Sequence, residues 1–278
     1  MPTKITCVVD NHVQEGANLR SEHGLAMWIE TPHGVVLFDT AQTEEVLAHN
    51  LGVLGLNPGD VDTLVLSHAH YDHTGGLETV LAQNDYLRII AHADLFRPRY
   101  SLRKGEYKSI GMTIPEQQLA ERVKLTLSDE PVEVLPNLWT TGGIHERPEP
   151  VGGSDHLFSG RDGGMQPDQY VDDLSLVLKT SDGLVLVCGC CHAGILNTLS
   201  HVKRRFGEPV IAVLGGMHLN AASDVYLEHV TQVLSDEFSG LMLYPNHCTG
   251  ENAIAKLTQA FGGRVRLFAA GATLQFAE

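Results

Sequence analysis

A short segment at residues 67–76 constrains this chain more than any other feature, because it places three imidazoles and a carboxylate within six consecutive positions. Its sequence is Ser-His-Ala-His-Tyr-Asp-His-Thr-Gly-Gly, and it directly follows the strand-like run 62–66. Imidazole and carboxylate groups together suit zinc, iron, manganese or nickel, and the two glycines allow the backbone to turn tightly. A chance surface cluster is the alternative. Four donors in six positions favour a metal site, whose first ligands are His68, His70, Asp72 and His73.

The composition is that of an ordinary globular protein, with 278 residues of which 43% are hydrophobic and 19% charged. This length allows a sizeable core, and we predict one domain spanning residues 1–278. No apolar run approaches the roughly 18 residues that a membrane-spanning helix needs, and residues 1–6 lack the apolar region of a signal peptide. The sequence therefore predicts a cytoplasmic protein that has no membrane partner.

The charge balance and the cysteines exclude further classes. The chain has 19 basic and 34 acidic residues, which gives a net charge of −15. Nucleic-acid binding depends on neutralising phosphates with lysine and arginine, so we expect no nucleic-acid partner. The cysteine count is five, an odd number, and three of them lie within residues 188–191. This pattern favours reduced thiols or metal ligands over a disulfide framework.

Residues 97–108 are a local basic exception in this acidic chain. Arg97 and Arg99 begin the segment, and the bases there could bind a phosphate or carboxylate of a small, anionic substrate. The alternative is a solvated basic loop on the surface.

Apolar periodicity predicts alternating strands and helices, an α/β or α+β fold. The predicted strands are 5–9, 25–30, 35–39, 63–66, 88–91, 132–135, 174–179, 184–188, 210–214 and 241–244. The predicted helices are 43–51, 76–82, 193–205, 222–234 and 251–260. Between about residues 92 and 172 the alternation weakens, which predicts either a lid over the site or an ordered surface excursion without a catalytic role.

The second half of the chain supplies further donors at predicted strand ends. If the chain stays extended after the strand at 184–188, Cys190 and His192 project to the same side and Cys191 points away. Alternatively, Cys190 is a buried packing residue and His192 alone is a ligand. His218 and His247 each follow a later strand. For His218 we consider metal binding, substrate contact, acid–base catalysis or a purely structural role.

The pattern His-x-His-x-Asp-His at residues 68–73 resembles the defining motif of the metallo-β-lactamase superfamily. The resemblance implies a four-layer αββα sandwich, in which two sheets pack face to face between helices. It also implies two divalent metal ions, with His68 and His70 on metal 1 and Asp72 and His73 on metal 2. Zinc is the first expectation, and manganese or iron are the alternatives.

The resemblance assigns the later donors by their order along the chain. His247 joins metal 2. The third ligand of metal 1 is either His192 or His145, with His192 favoured. Many members carry Gly-Asp, with the aspartate bridging both metals, where this chain has Gly189-Cys190. Thiolate can replace carboxylate as a ligand, so Cys190 is also a candidate.

Further segments resemble the branch of this superfamily that is named after a dihydropterin ribofuranosyl-aminobenzene phosphate synthase. They are residues 9–11, 21–25, 36–40, 64–68, 190–197, 215–219 and 247–250. The resemblance implies that Asp39 is a buried carboxylate that orients ligand histidines. It also places Glu22 and His23 along the cleft, with a structural role as the alternative for Glu22.

The implied activity is hydrolysis, in which a dinuclear centre activates water for attack on an ester, lactone, amide or phosphoester. Asp72 or His218 would transfer the proton. Three other functions remain alternatives: a pterin-linked transferase at the same site, an iron-dependent oxidoreductase, and a ligand-binding protein without catalysis.

Overall fold

The strands form three sheets in the computed structural model, which describes residues 2–84, 86–161 and 163–277. The first sheet has, in spatial order, β17 (Thr273–Phe276), β1 (Thr3–Val9), β2 (Ala26–Thr31), β3 (Gly34–Phe38), β4 (Thr63–Val65), β5 (Arg88–Ala91) and β8 (Lys124–Leu127). The second has β16 (Met242–Pro245), β15 (Val210–Gly215), β14 (Gly183–Cys188), β13 (Ser175–Thr180), β10 (Leu138–Thr140) and β9 (Glu133–Leu135). The third has β12 (Gly164–Pro167), β11 (Leu157–Arg161), β6 (Arg99–Arg103) and β7 (Glu106–Ser109).

The α-helices of the described residues are α1 (Glu44–Leu54), α2 (Tyr71–Thr74), α3 (Leu77–Leu81), α4 (Glu116–Ala120), α5 (Ile195–Phe206), α6 (Asp224–Glu237) and α7 (Glu251–Phe261). Short 3₁₀ helices lie at Pro58–Asp60, His247–Thr249 and Gly262–Arg264. The predicted strands and helices all occur, with ends that differ by at most about three residues, as is usual for element boundaries. No helix in the described ranges is long and apolar enough to cross a membrane.

Side-chain alternation along the strands separates the core into layers. On β2, Met27 and Ile29 enter the cluster between the two large sheets, while Trp28 enters the cluster beneath α1 and α3. On β14, Val185 and Val187 enter the central cluster, whereas Leu186 packs toward α5 and α6. Because every second side chain points to the opposite face, each of the two large sheets is buried on both sides. The order is helices, sheet, sheet, helices, which confirms the predicted αββα sandwich.

The third sheet occupies part of the range where sequence periodicity weakens. Residues of β7 and β12 are all exposed, so neither strand shows the apolar alternation by which a strand is recognised. Part of the predicted lid or excursion is therefore regular β-structure.

Candidate metal centre

Side chains that can bind a metal, or orient a ligand, come together where five strands end. β3 runs parallel to β4, and β14, β15 and β16 run parallel to one another. The residues that follow these strands are Asp39, Ser67 with His68, Cys190 with His192, His218, and His247. The carboxyl ends of parallel strands meet at one edge of a sheet, which is where α/β proteins place their sites. The topology explains how donors far apart in sequence meet.

The first group of donors consists of three buried imidazoles, from His68, His70 and His192. Nε2 of His68 lies 3.0 Å from Nδ1 of His70. The His192 ring centroid lies 4.8 Å from that of His68 and 5.0 Å from that of His70. Nε2 of His192 is buried without a hydrogen-bond partner. A buried nitrogen that lacks a partner is costly, and a cation among the three rings would satisfy it.

Hydrogen bonds on the outer side of the rings fix which nitrogen carries the proton. Nδ1 of His192 lies 2.6 Å from the carbonyl oxygen of Gly152, so this nitrogen donates and Nε2 keeps its lone pair. The Ser67 hydroxyl donates to Asp39, which leaves its oxygen to accept from Nδ1 of His68 at 2.9 Å. Both rings thus turn lone pairs inward, which is the arrangement that outer partners impose on metal-binding histidines.

The second group consists of Asp72, His73 and His247. Oδ2 of Asp72 lies 3.7 Å from Nε2 of His73 and 3.5 Å from Nε2 of His247. The two Nε2 atoms lie 3.2 Å apart. An ion about 2 Å from all three atoms fits this triangle, and zinc-to-nitrogen bonds are about 2.0–2.1 Å. In this group too, the ring nitrogens that point away from the triangle donate hydrogen bonds. Nδ1 of His73 donates to Oδ2 of Asp39 at 2.6 Å, and Nδ1 of His247 donates to Oδ1 of Asn11 at 3.0 Å.

Asp39 connects the two groups. One of its oxygens accepts from the Ser67 backbone N–H at 2.7 Å, and the other accepts from the Ser67 hydroxyl and from Nδ1 of His73. The residue is fully buried. It orients His73 directly and His68 through Ser67, in the outer position where the sequence resemblance places it.

Cys190 lies between the two groups. Its Sγ is 3.2 Å from Nε2 of His73, and it forms a cluster of possible ligand atoms with His68 and His73. Cys191 points away, toward the Thr198 hydroxyl of α5 at 3.2 Å. Cys190 also forms a cluster with His218 and Cys248. The structure thus brings both Cys190 and His192 to the site, whereas the sequence left open whether the thiol only packs.

Burial keeps the three imidazoles of the first group neutral, which is the form that binds metal. It lowers the pKa of His68 and of His192 well below the usual value, and it lowers the pKa of His70 to about 4. Burial would raise the pKa of Asp72, but His73, His23 and His247 outweigh this effect and hold it well below its usual value. The first group therefore offers uncharged nitrogens, and Asp72 offers an ionised carboxylate.

Several of these residues adopt a strained backbone. Asp39, Cys191, His218 and His247 have φ values of 62°, 60°, 46° and 46°. Residues other than glycine rarely adopt this left-handed conformation, and it costs of order 1–3 kcal/mol each where it occurs at functional sites. The strained residues lie shortly after the strands whose ends carry the donors.

A cavity of about 180 Å³ opens onto both groups of donors. Its walls include His23, Asp72, His192 and His218. His23 donates from Nε2 to Asp72 across 3.2 Å, a contact that raises its pKa. Further wall residues come from or beside the third sheet, namely Ser101, Arg103, Ser154, His156 and Leu157. The segment predicted as a lid or excursion therefore contributes to the cavity.

Three predicted residues lie elsewhere. Nε2 of His145 pairs with the Asp129 carboxylate at 2.9 Å, in an exposed position outside the donor groups. Arg97 pairs with Asp94. Arg99 is buried behind the 68–73 loop and is surrounded by three carboxylates, from Asp94, Asp168 and Asp172. The structure does not bring Arg97 or Arg99 to the cavity, because their guanidinium groups pair with carboxylates and neither is among the described residues that line it.

Three further groups that orient the ligand histidines were not predicted from the sequence: the Ser67 hydroxyl, the Gly152 carbonyl and the Asn11 side chain. Ser67 and the Gly152 carbonyl act only through contacts that form on folding. Asn11 lies in a segment that the resemblance already covered, so it could have been named as a partner of His247. Glu22, by contrast, receives hydrogen bonds from Gln42 and Thr43 at the start of α1, the structural role considered for it.

Comparison with known families decides the classification. The family model of the metallo-β-lactamase superfamily matches residues 20–187, well over half of the chain. The chain belongs to the metallo-β-lactamase superfamily.

Two proteins similar to this chain come from Methanocaldococcus jannaschii. One is an uncharacterised protein that is 32% identical, over 92% of this chain and 94% of the relative. The other is 7,8-dihydropterin-6-methyl-4-(β-D-ribofuranosyl)-aminobenzene-5'-phosphate synthase, which is 28% identical over 98% of this chain and 96% of the relative. Among solved structures, Tm1679, a metal-dependent hydrolase of the β-lactamase superfamily, has a TM-score of 0.84 and 28% identity, covering 99% of this chain and all of that one. The predicted family resemblance is confirmed.

Proposed function

We propose that this metallo-β-lactamase-fold protein is a metal-dependent hydrolase of a small ester, lactone or phosphoester. One observation carries the proposal: outer hydrogen bonds turn the lone pairs of His68, His192, His73 and His247 into one buried space. Facing lone pairs repel one another, and a cation between them removes the repulsion. Similarity to a metal-dependent hydrolase over nearly the whole chain supports the same activity.

The donor set fits two divalent ions. His68, His70 and His192 would hold the first, and Asp72, His73 and His247 the second, with Cys190 beside both. Nitrogen, carboxylate and thiolate donors together favour zinc over magnesium or calcium, which prefer oxygen. When bound, such ions lower the pKa of a coordinated water and polarise a carbonyl or phosphoryl oxygen.

Proton transfer falls to residues that line the cavity, for which Asp72 and His218 are the candidates. The His218 ring lies 4.2 Å from that of His192, measured between centroids, so it stands beside the first donor group. The roles of Asp72 and His218 can be distinguished by metal content, because Asp72 belongs to the second donor group and its replacement should remove metal. We expect His218→Asn to lower kcat with full metal content, whereas Asp72→Asn lowers both.

A transferase at the same centre is the second candidate function. A further cavity of about 330 Å³ adjoins the first, and the two share His23, Asn220 and His247. Two cavities meeting at the donors could hold two substrates. The synthase relative favours this function, and a product that joins two substrates would distinguish it from hydrolysis.

The test combines metal analysis with turnover. We expect purified protein to contain up to two equivalents of zinc by plasma mass spectrometry, and to hydrolyse members of a panel of aryl esters, lactones and phosphodiesters. Chelation should abolish turnover and zinc should restore it. His68→Ala should lose both metal and turnover, with His145→Ala as the matched control. Full turnover in His68→Ala would contradict the proposal.

A further inference from the structure

One face of strand β6 points toward the metal centre. Arg99, Ser101 and Arg103 share that face, since side chains alternate along a strand. Arg99 and Ser101 are buried, while Arg103, at the strand end, is exposed. The face thus runs from the protein interior to the cavity opening.

Arg99 attaches this face to the loop that carries the first ligands. Its guanidinium lies 2.7 Å from one oxygen of Asp172, whose other oxygen accepts from the Ala69 N–H at 2.9 Å. Ala69 stands between His68 and His70. The position of β6 relative to the donors is therefore fixed by a buried ion pair and a hydrogen bond.

Arg103 extends from the same face into the wall of the 180 Å³ cavity, which His70, Asp72 and His192 also line. Its Nε donates to the Ser101 hydroxyl at 3.1 Å, which orients the side chain. Within the described ranges no carboxylate forms an ion pair with Arg103. Its two terminal nitrogens thus remain available to a ligand.

Arg103 differs from the other two arginines of its segment in its electrostatic surroundings. Arg97 and Arg99, on the same segment, already pair with carboxylates. Among the described residues that line the cavity, Asp72 is the only carboxylate, and it lies close to three imidazoles. In a chain with a net charge of −15, a cation left unpaired at a cavity wall is a focus for an anion.

We propose that Arg103 binds a phosphate or carboxylate group on the substrate, at the end opposite the bond that is cleaved at the metal centre. This inference rests on the proposed hydrolase function. The planar guanidinium presents parallel N–H donors that match two oxygens of one anion, and its stem fixes the distance between that anion and the donors.

Three 4-nitrophenyl esters of similar length test the proposal with the zinc-loaded protein: the neutral pentanoate, the glutarate monoester and the 4-phosphonobutanoate. We expect a lower KM for the anionic esters. Arg103→Ala should reduce kcat/KM for them at least about tenfold more than for the pentanoate, mainly through KM, as loss of a charge-assisted contact predicts. Arg103→Lys should restore part of the preference. The ester with the lower KM identifies carboxylate or phosphate as the preferred group.

Lys108→Ala is the matched control, because it removes one positive charge from the adjacent β7 and Lys108 does not line the cavity. We expect it to keep the preference for anionic esters. An equal loss on all three esters in Arg103→Ala, or an equal loss of preference in Lys108→Ala, would overturn the proposal.

A binding measurement separates this inference from the hydrolase proposal. Isothermal titration of 4-phosphonobutanoate into the zinc-loaded protein should show at least about tenfold weaker binding to Arg103→Ala than to the wild type. If no ester is hydrolysed but this difference is found, the hydrolase function fails and the anion site stands. Equal affinities would refute the anion site whether or not esters are hydrolysed.

Discussion

Nε2 of His73 lies 3.2 Å from Nε2 of His247, although the two residues are 174 positions apart. Each ring donates from its other nitrogen, His73 to Asp39 and His247 to Asn11, so two lone pairs face each other. His73 comes after β4 of the first large sheet, and His247 comes after β16 of the second. A cation bound here would therefore join the two halves of the sandwich.

Metal removal should lower stability as well as activity. A ligand that binds only the folded state adds about 4 kcal/mol when its free concentration is 1,000 times its Kd. We expect chelation to lower the Tm in differential scanning calorimetry and zinc to restore it. His247→Ala should shrink this difference, whereas His145→Ala should keep it. Equal Tm values with and without chelator would show that the ions do not connect the sheets.

His192 and His145 give opposite expectations for metal content. His192 directs an unpartnered Nε2 toward His68 and His70, while His145 pairs with Asp129 outside the donor groups. We expect His192→Ala to lose about one equivalent of metal, the share held by one three-ligand site, and His145→Ala to lose none. Plasma mass spectrometry of both variants measures this, and the reverse result would exchange the two assignments.

Asp39→Asn should weaken metal binding without changing a proposed ligand. Both carboxylate oxygens accept hydrogen bonds, and an amide offers only one acceptor oxygen in their place. Asparagine tolerates the left-handed backbone of this position, so the effect should come from ligand orientation. We expect about 10- to 100-fold weaker zinc affinity in competition with a chromophoric chelator. Asp62→Asn, at an exposed carboxylate that accepts from Val35, should bind zinc normally.

Much of the candidate metal centre was predictable, because most of its donor residues come shortly after predicted strands. The 68–73 loop carries four donors in six residues, and His192 and His247 each follow an apolar run that periodicity identifies. Parallel strands with such runs deliver their following residues to one edge. Apolar periodicity therefore predicted an α/β or α+β fold and the strand ends where most of the donors lie, whereas the αββα sandwich and the grouping of the donors came from the family resemblance.

The remaining parts depend on contacts that only the folded chain makes. The lone pair of His192 is fixed by a carbonyl 40 residues away, and no pattern in the sequence links the two. Strands β7 and β12 are exposed along their length, so the third sheet gives no periodic signal. Arg103 and the buried Arg99 lie in one basic run, and only the structure distinguishes their environments.

Arg99 should be far more important for stability than Arg97. Its guanidinium is buried among the carboxylates of Asp94, Asp168 and Asp172. Removing one partner of a buried ion pair costs about 3–5 kcal/mol, because the remaining charges lose their compensation. We expect Arg99→Ala to lower the free energy of unfolding by that amount in urea denaturation of zinc-loaded protein. Arg97→Ala removes a partly exposed pair, for which about 0–1 kcal/mol is expected. Similar losses in both variants would contradict a buried network that holds β6 in place.

Cys190 should contribute a thiolate to the centre, since its Sγ lies 3.2 Å from Nε2 of His73 and between the two donor groups. Burial raises the pKa of this thiol well above its usual value, and a bound cation would deprotonate it. Cobalt-substituted protein should therefore show a thiolate-to-cobalt absorption band in the near ultraviolet. Cys190→Ala should lose this band and part of the metal, and Cys190→Asp should recover the metal without the band. Cys191→Ala is the control, because its thiol points to Thr198 and the band should persist. If the band survives in Cys190→Ala, another thiol is the ligand. The candidate is then Cys248, which forms a cluster with Cys190 and His218.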